Sequence, residues 1–319
     1  MWKTILRRVV LMIPQIVILS ILVFILAKLM PGDPFAGNFN PNVTPEILAE
    51  LKEKAGLNDP WPTQYARWIT NIFHGDLGRS FIYKLDVTTI LGQRIPNTIS
   101  LSLLTSIITY LIALPLGMLA GRYEDSWLDR IIGVYSYLTF AIPVFIFGLL
   151  MLFLFGYKLQ WFPTGGSVDI GVAAGFPTIL NKFYHLLLPA LTQAILATAV
   201  TIQYLRTSVI DSKKLDFVRT ARSKGVPSNK VYTRHIFRNA SLPIASTLGF
   251  EISSLIAGSV IIENIFGFPG IGQLFISSIG QRDYAVITAL ILILGIVTLV
   301  GMLISDIVMS IVDPRIRIQ

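Results

Sequence analysis

The sequence predicts an all-α protein that crosses a membrane several times. Of its 319 residues, 53% are hydrophobic and only 14% are charged, whereas an ordinary soluble domain carries about 25% charged residues. The apolar residues lie in long blocks rather than in short periodic stripes, and the mean hydropathy is +0.68. The chain has no cysteine, which excludes a disulfide framework, a thiolate metal site and a cysteine nucleophile.

Six apolar blocks reach the length of about 18 residues that a helix needs to cross the hydrocarbon core. They lie near residues 9–29, 98–120, 131–156, 186–205, 242–262 and 285–312. The first block is longer than the apolar region of a cleavable signal peptide, which is about 7–15 residues, so we expect an uncleaved anchor. Pro115, Pro143 and Pro189 predict kinks in the second, third and fourth spans.

Basic residues predict the orientation, because Lys and Arg concentrate in loops on the cytoplasmic side. With the N-terminus inside, Lys and Arg are more than three times denser on the cytoplasmic side than on the other. Both termini are therefore expected in the cytoplasm. The net charge of +8 is explained by topology, and nucleic-acid binding is set aside.

The segment between the first two spans, residues 34–96, is long and polar enough for a small external helical domain. Thr44 and Pro45 resemble a helix start, and a second helix is predicted from about Pro60. An apolar stripe follows at helical spacing, formed by Trp61, Tyr65, Trp68, Ile69, Ile72 and Phe73. This stripe either packs on a neighbouring helix or the bilayer surface, or offers a platform to a partner.

The cytoplasmic loop 209–240 is predicted to hold two short helices. Asp211 or Ser212 is expected to cap the first, Gly225 to end it, and Pro227 to open the second. Small residues at the bend, Thr220 among them, would make a compact knob. The pattern indicates a docking element rather than a plain solvated loop.

Catalytic signatures are missing from the sequence. It contains no Gly-rich phosphate cradle with Lys-Ser/Thr and no His-Glu-x-x-His helix. The chain is therefore not expected to be an enzyme by itself. Within the spans, a charged residue faces a cavity or partner by default. Glu251 is either a packing residue or a pathway residue, Gln193 and Gln203 are further pathway candidates, and Asp306 favours a structural role.

Several motifs together resemble the permeases of binding-protein-dependent ABC importers, in the oligopeptide, dipeptide and nickel subgroup. The closest resemblance is to the B-type subunit of oligopeptide importers. The motifs are Met30–Pro34, Gly75–Ser80, Arg94–Thr98, Asp216–Gly225 with Arg234–Pro243, Glu263–Gly272 and Asp313–Arg317. One departure is that the usual Glu-Ala-Ala of the coupling motif reads Arg219-Thr220-Ala221 here, a variation usual in this subgroup.

The resemblance implies the type I ABC importer permease fold and a division into four parts. These are an anchor helix (1–33), the external domain (34–96), the transmembrane core with the coupling loop (97–312) and a cytoplasmic tail (313–319). The ATPase-coupling residues it implies are Asp216, Arg219, Thr220, Ala221 and Gly225. The external loop motif it implies comprises Glu263, Pro269, Gly270 and Gly272.

The resemblance also implies partners. These are a homologous second permease, two ATPase subunits that hold ATP and magnesium, an external binding lipoprotein and a peptide substrate, in the bacterial cytoplasmic membrane. No cofactor or metal is expected in this chain. The alternatives are a dipeptide, nickel or oligosaccharide permease, a proton-coupled secondary transporter using Glu251, or a membrane scaffold or receptor.

Overall fold

The computed structural model describes residues 2–29, 58–244, 255 and 258–312. In this part of the chain the structure is helical, with one isolated β-bridge between Arg79 and Asp86. The helices are α1 (Trp2–Leu29), α2 (Trp61–Phe73), α3 (Val87–Arg122), α4 (Trp127–Ala141), α5 (Val144–Met151), a π-helix (Leu152–Lys158), α6 (Phe176–Ser212), α7 (Asp216–Ser223), α8 (Ser228–Lys230), a second π-helix (Val231–Ile236), α9 (Phe237–Ala240), α10 (Val260–Ile265), α11 (Ile271–Gln281) and α12 (Tyr284–Val312).

Four of these helices are long and apolar enough to cross a membrane, namely α1, α3, α6 and α12. They correspond to the first, second, fourth and sixth predicted spans. The third predicted span is a pair of helices bent by 100° between Ala141 and Val144, which is the geometry of a broken span or a re-entrant loop and not of one straight helix. The predicted fifth span, 242–262, lies mostly outside the described residues, and the count of six stays a prediction.

Proline had different effects at the three predicted kinks. The break in the third span occurs at Pro143, which precedes α5. Helices α3 and α6 continue through Pro115 and Pro189. Helix α3 also begins at Val87, well before the predicted start of the second span, so the predicted domain boundary at residue 96 falls within a continuous helix.

The centre of the fold is the pair α3 and α6, which run parallel in very close contact. A Cβ added to Gly117 would lie 2.9 Å from Leu205 Cβ, and one added to Gly121 would lie 2.6 Å from Val209 Cβ. The four-residue spacing puts both glycines on one face of α3, the arrangement that lets membrane helices approach closely. Bulkier residues at these two positions would force the helices apart.

Helices α1 and α12 form a second, antiparallel pair. Leu19 packs against Gly295, and Arg8 pairs with Asp306 at 3.2 Å. The predicted structural role of Asp306 corresponds to this inter-helix ion pair. Near the other end of α1, Phe24 lies edge-on to Tyr65 of α2, with ring centroids 5.5 Å apart.

The aromatic stripe of α2 therefore packs on a neighbouring helix, one of the two arrangements expected from its spacing. Tyr65 Oη shares a hydrogen bond of 2.7 Å with Ser20 of α1, and Trp68 also contacts Phe24. Phe73, at the end of the stripe, is exposed.

The bundle has two functional ends, at opposite ends of α3, a helix of about 54 Å at 1.5 Å per residue. At one end, the start of α3 packs against α10 and α11 around Glu263; we call this the Glu263 end. At the other, the end of α3 packs against the end of α6 and against α7–α9, which carry many Lys and Arg residues; we call this the basic end.

Candidate coupling site and Glu263 loop

Helix α7, at the basic end, is divided into a buried and an exposed face. Val218 and Ala221 are buried, in one cluster with Leu205 and Val209 of α6. Asp216, Arg219 and Thr220 are exposed on the opposite side. The exposed face can accept a partner, whereas the buried face joins the helix to α6.

The start of α7 differs from the sequence prediction. Leu215 is the N-cap residue and no side chain caps the helix. Asp211 and Ser212 instead belong to the last turn of α6, so the prediction that one of them caps α7 was wrong. The reason is that α6 continues through these residues, and buried Val209, Ile210 and Ser212 are retained in its packing face.

A sharp turn at Gly225 reverses the chain after α7. Its φ of +72° lies in the left-handed region, and a Cβ there would meet nothing within 4 Å, so glycine is favoured by conformation and not by crowding. After Pro227 the chain returns through α8, the second π-helix and α9. Val231, Tyr232 and Ile236 of this return segment (Ser228–Ile236) are buried in the same cluster as Val218.

Ion pairs tie the surrounding helices to this site. Arg206 of α6 donates to both carboxylate oxygens of Asp129 at 2.6 and 2.7 Å. Lys213, just after α6, contacts Glu124 at 2.5 Å and donates to the carbonyl of Gly121 at 3.3 Å. The hydrogen bond from Lys213 holds the pKa of the Glu124 carboxyl below its usual value.

The Glu263 end is organised around one fully buried carboxylate. Glu263 Oε1 accepts from Thr98 Oγ1 at 2.9 Å, and Oε2 accepts from the backbone N–H groups of Gly272 at 2.6 Å and Gln273 at 3.1 Å. Thr98 Oγ1 in turn accepts from the N–H of Ile271 at 2.7 Å. These groups satisfy the otherwise unpaired N–H groups at the start of α11.

The three small or rigid residues of the external loop motif fit closely around this carboxylate. A Cβ on Gly270 would lie 2.3 Å from Glu263 Oε2, and one on Gly272 would lie 2.6 Å from Val260 Cα. The carbonyl of Pro269 accepts from Asn97 Nδ2 at 2.9 Å. The sharply bent segment is thus closely covered by protein.

Two motifs that the sequence left separate, Arg94–Thr98 and Glu263–Gly272, meet here. Arg94 adds a bond from its guanidinium to Gln273 Oε1 at 3.1 Å. Burial raises the pKa of Glu263, and the hydrogen bonds from Thr98 and the two N–H groups oppose that rise. The hydrogen bonds around Glu263 anchor a loop, and the described residues place no nucleophile at this site. The role of these hydrogen bonds is therefore structural.

The Gly75–Ser80 motif makes a third connection at this end. It turns into α3 through a bond from the N–H of Val87 to the carbonyl of Gly78, at 3.0 Å. Ser80 Oγ donates to the buried carboxylate of Asp283, the residue before α12, and accepts from the N–H of Tyr83 at 2.9 Å. The motif thereby fixes the start of α3 to the start of α12.

The pathway candidates are only partly described. Gln193 of α6 is half-buried, and its Oε1 has no hydrogen-bond partner among the described residues. Gln203 is also half-buried. Glu251 lies outside the described residues. Gln193 and Gln203 both belong to α6, and the pathway role of all three residues stays a prediction.

Thr98, Ser80, Asp283 and the pair Gly117 and Gly121 are the residues whose roles sequence reasoning missed. The spacing of the two glycines was a readable signal of close helix packing. Among the described residues, no group of three or more His, Cys, Asp or Glu side chains could hold a metal ion.

Comparisons with known proteins agree with the motifs. Residues 113–318 match the family model for binding-protein-dependent transport system inner membrane components, and residues 1–102 match the model of the N-terminal part of such membrane components. Similar proteins include an oligopeptide transport system permease protein, AppB, of Bacillus subtilis, 39% identical over 314 residues and 98% of each chain. A probable peptide ABC transporter permease protein, y4tP, of Sinorhizobium fredii is 34% identical over 316 residues, again 98% of each chain.

A solved structure supports the fold. The chain resembles a chain of the MetNI methionine ABC transporter in an inward-facing conformation, with a TM-score of 0.55 and 13% identity over 70% of this chain and 96% of that one. At this identity the likeness concerns the fold alone, which is that of an ABC importer permease. The protein belongs to the family of inner membrane components of binding-protein-dependent transport systems, and it is a multi-pass helical membrane protein.

Proposed function

We propose that this chain is a transmembrane permease subunit of an ATP-driven importer for oligopeptides. It forms half of the translocation pathway, and a homologous second permease forms the other half. Two ATPase subunits dock at the basic end and bind ATP and magnesium there, while this chain carries no cofactor. An external lipid-anchored binding protein delivers the peptide at the Glu263 end.

The observation that carries the coupling assignment is the division of α7 into two faces. Val218 and Ala221 are buried against α6, whereas the side chains of Arg219 and Asp216 are 79% and 94% exposed. A charged helix that is held on one side and free on the other suits a docked partner. The substrate class rests on the relatives, which are named as oligopeptide and peptide permeases.

We assign six spans and a cytoplasmic location to both termini, with the external domain between the first two spans. Support comes from the Lys and Arg of residues 206–240, which lie at the basic end. The antiparallel packing of α1 and α12 also supports it, because the start of α1 and the end of α12 lie at the same end of that pair. The polar segment between α1 and α3 then lies outside, next to the Glu263 end.

Purification of the tagged chain in mild detergent, with mass spectrometry of the proteins that accompany it, tests the assembly. The expected result is a second permease and two ATPase subunits. A homo-oligomer without ATPases would refute the proposal and favour a proton-coupled transporter. Uptake by the complex in proteoliposomes, with oligopeptide, dipeptide, Ni²⁺ and oligosaccharide compared under ATP and under a proton gradient alone, then identifies the substrate and the energy source.

The pathway residue Glu251 is part of this proposal. A carboxylate within a span favours a cationic amine, such as a peptide N-terminus, or carries a proton. Substitution Glu251→Gln is therefore expected to reduce peptide uptake in a pH-dependent manner. Asp86→Asn is the control, because Asp86 is exposed and its side chain makes no capping hydrogen bond. Normal uptake by the Glu251 variant across pH would remove Glu251 from the pathway.

A further inference from the structure

The end of α3 is attached to the return segment of the coupling site by one arginine. Arg122 is the last residue of α3. Its guanidinium carbon lies 4.8 Å from the ring centroid of Tyr232 and 5.1 Å from that of Tyr123, and its Nη2 donates to Asn229 Oδ1 at 2.8 Å. Asn229 and Tyr232 both belong to the return segment, so three groups hold this side chain in place.

The contacts of Arg122 use properties that lysine lacks. A planar guanidinium can stack on aromatic rings and donate in its own plane at the same time, and each cation–π contact is attractive, more so where it is shielded from water. Tyr232 is buried in the cluster with Val218 of α7. Arg122 therefore contacts the return segment on the buried side of the coupling site, while the exposed face of α7 remains free.

The loop that follows α3 has further attachments to α6. Lys213 contacts Glu124 and the carbonyl of Gly121, and Arg206 forms its bidentate pair with Asp129 at the start of α4. Residues 121–129 thus connect α3, α4, α6 and the coupling site. In this group only Arg122 reaches the return segment among the hydrogen bonds and ion pairs of the described residues.

We propose that Arg122 is a positioning residue for energy coupling, which makes the return segment and the ends of α3 and α4 move as one body. The inference rests on the proposed function, in that the moving force comes from ATPases docked on α7. Force on α7 reaches α6 through Val218 and Val209. Through Tyr232 and Asn229 it also reaches Arg122, and so α3, which packs along α6. We call the contacts of Arg122 with Asn229 and Tyr232 the clamp. Its loss leaves ATPase docking intact and weakens the transmission of force to α3.

The first test measures substrate transported per ATP hydrolysed by the reconstituted complex. Arg122→Ala is expected to lower this ratio about fivefold to tenfold, with basal ATP hydrolysis and assembly retained, and Arg122→Lys is expected to restore it only in part. Exposed Arg130, in the same region, provides the matched control, and Arg130→Ala is expected to leave the ratio unchanged. A wild-type ratio in the Arg122→Ala complex would overturn the proposal.

Where Arg122→Ala does not assemble, Asn229→Ala carries the test, since it removes only the hydrogen bond. It is expected to lower the ratio as well, and an unchanged ratio in that variant overturns the proposal. A role restricted to stability would reduce the yield of complex or its melting temperature and leave the ratio of the assembled complex unaltered.

A distance measurement separates failure of the clamp from failure of the proposed function. The chain has no cysteine, so spin labels at Trp127→Cys of α4 and Thr233→Cys of the return segment, both exposed sites, have no background in it. With Arg122 present we expect one narrow distribution of the distance between the two labels, and this distribution stays unchanged when nucleotide is trapped in the complex. In the Arg122→Ala variant we expect the distribution to broaden, even in the isolated chain. An equally narrow distribution in the isolated Arg122→Ala chain would refute the clamp whether or not ATPases assemble. In the assembled complex, a shift of about one helical turn, 5.4 Å, on nucleotide trapping with Arg122 present would also refute it.

Discussion

Replacement of Thr98 by valine removes the hydroxyl that links α3 to the Glu263 loop and leaves the volume almost unchanged. Thr98 is fully buried. Without its Oγ1, the N–H of Ile271 loses its acceptor at 2.7 Å, and Glu263 Oε1 loses its donor at 2.9 Å. Each buried group left unpaired costs about 1–3 kcal/mol, so for two such groups we expect a local destabilisation of about 2–6 kcal/mol.

Amide hydrogen exchange of the complex, read by mass spectrometry on peptides that cover 260–275, measures this effect. A cost of about 2 kcal/mol corresponds to roughly thirtyfold faster exchange of the Ile271, Gly272 and Gln273 amides where they exchange by local opening. Thr89→Val is the matched control, because Thr89 lies in the first turn of the same helix and is exposed. Thr98→Ser should retain most of the protection, since it keeps the hydroxyl.

Equal protection of these amides in wild type and Thr98→Val would refute the reasoning, because the Thr98 hydroxyl would then not stabilise the Glu263 loop. Equal deprotection by Thr89→Val would also contradict it, since the effect would come from the β-branched apolar side chain and not from the lost hydrogen bonds.

Three further predictions concern both ends of the molecule. Burial raises the pKa of Glu263 above its ordinary value of 4.5, so its contribution to stability is complete below that value and is lost as the pH rises through the folded pKa. The stability of wild type relative to Glu263→Gln, measured by thermal unfolding from pH 4 to 8, should therefore fall with rising pH. A rise would contradict the assignment. Gly121→Ala should destabilise the α3–α6 contact by about 1–3 kcal/mol, because its Cβ would lie 2.6 Å from Val209 Cβ. Gly92→Ala in the same helix should not lower the melting temperature, because nothing lies within 4 Å of a Cβ at that position. Gly225→Trp should uncouple ATP hydrolysis from uptake, because it adds bulk at the docking face. Gly225→Ala carries the same strain at positive φ without the bulk and should remain coupled. Unchanged transport and stimulated ATPase activity in the tryptophan variant would remove Gly225 from the coupling site.

The helical membrane architecture could be predicted from the sequence because its cause is local. A block of about 20 apolar residues in lipid must satisfy its own backbone groups, and a helix does so within the segment. The same locality explains why the helix at Trp61–Phe73 and the turn at Gly225 were readable from spacing and residue type. Family membership was equally readable, since it depends on motifs in order along the chain.

Errors occurred where a neighbouring element decided the outcome. Asp211 and Ser212 have the right chemistry for an N-cap, yet α6 continues through them because its buried face still has partners there. Pro143 coincides with a 100° break, whereas Pro115 and Pro189 do not interrupt their helices. The proline signal is the same at all three positions, so proline alone does not decide whether a helix is interrupted.

The membrane class, the approximate positions of the long helices, the basic loop and the set of motifs can all be read from the sequence. The contacts between distant residues follow from the packing of the helices: Thr98 with Glu263, Ser80 with Asp283, and Arg122 with Asn229 and Tyr232. The members of the first two pairs are separated by 165 and 203 residues. Helix formation depends on neighbours within a turn, but such contacts depend on how α3, α6 and α12 pack, and two glycines that allow close approach bring the first two of these helices together.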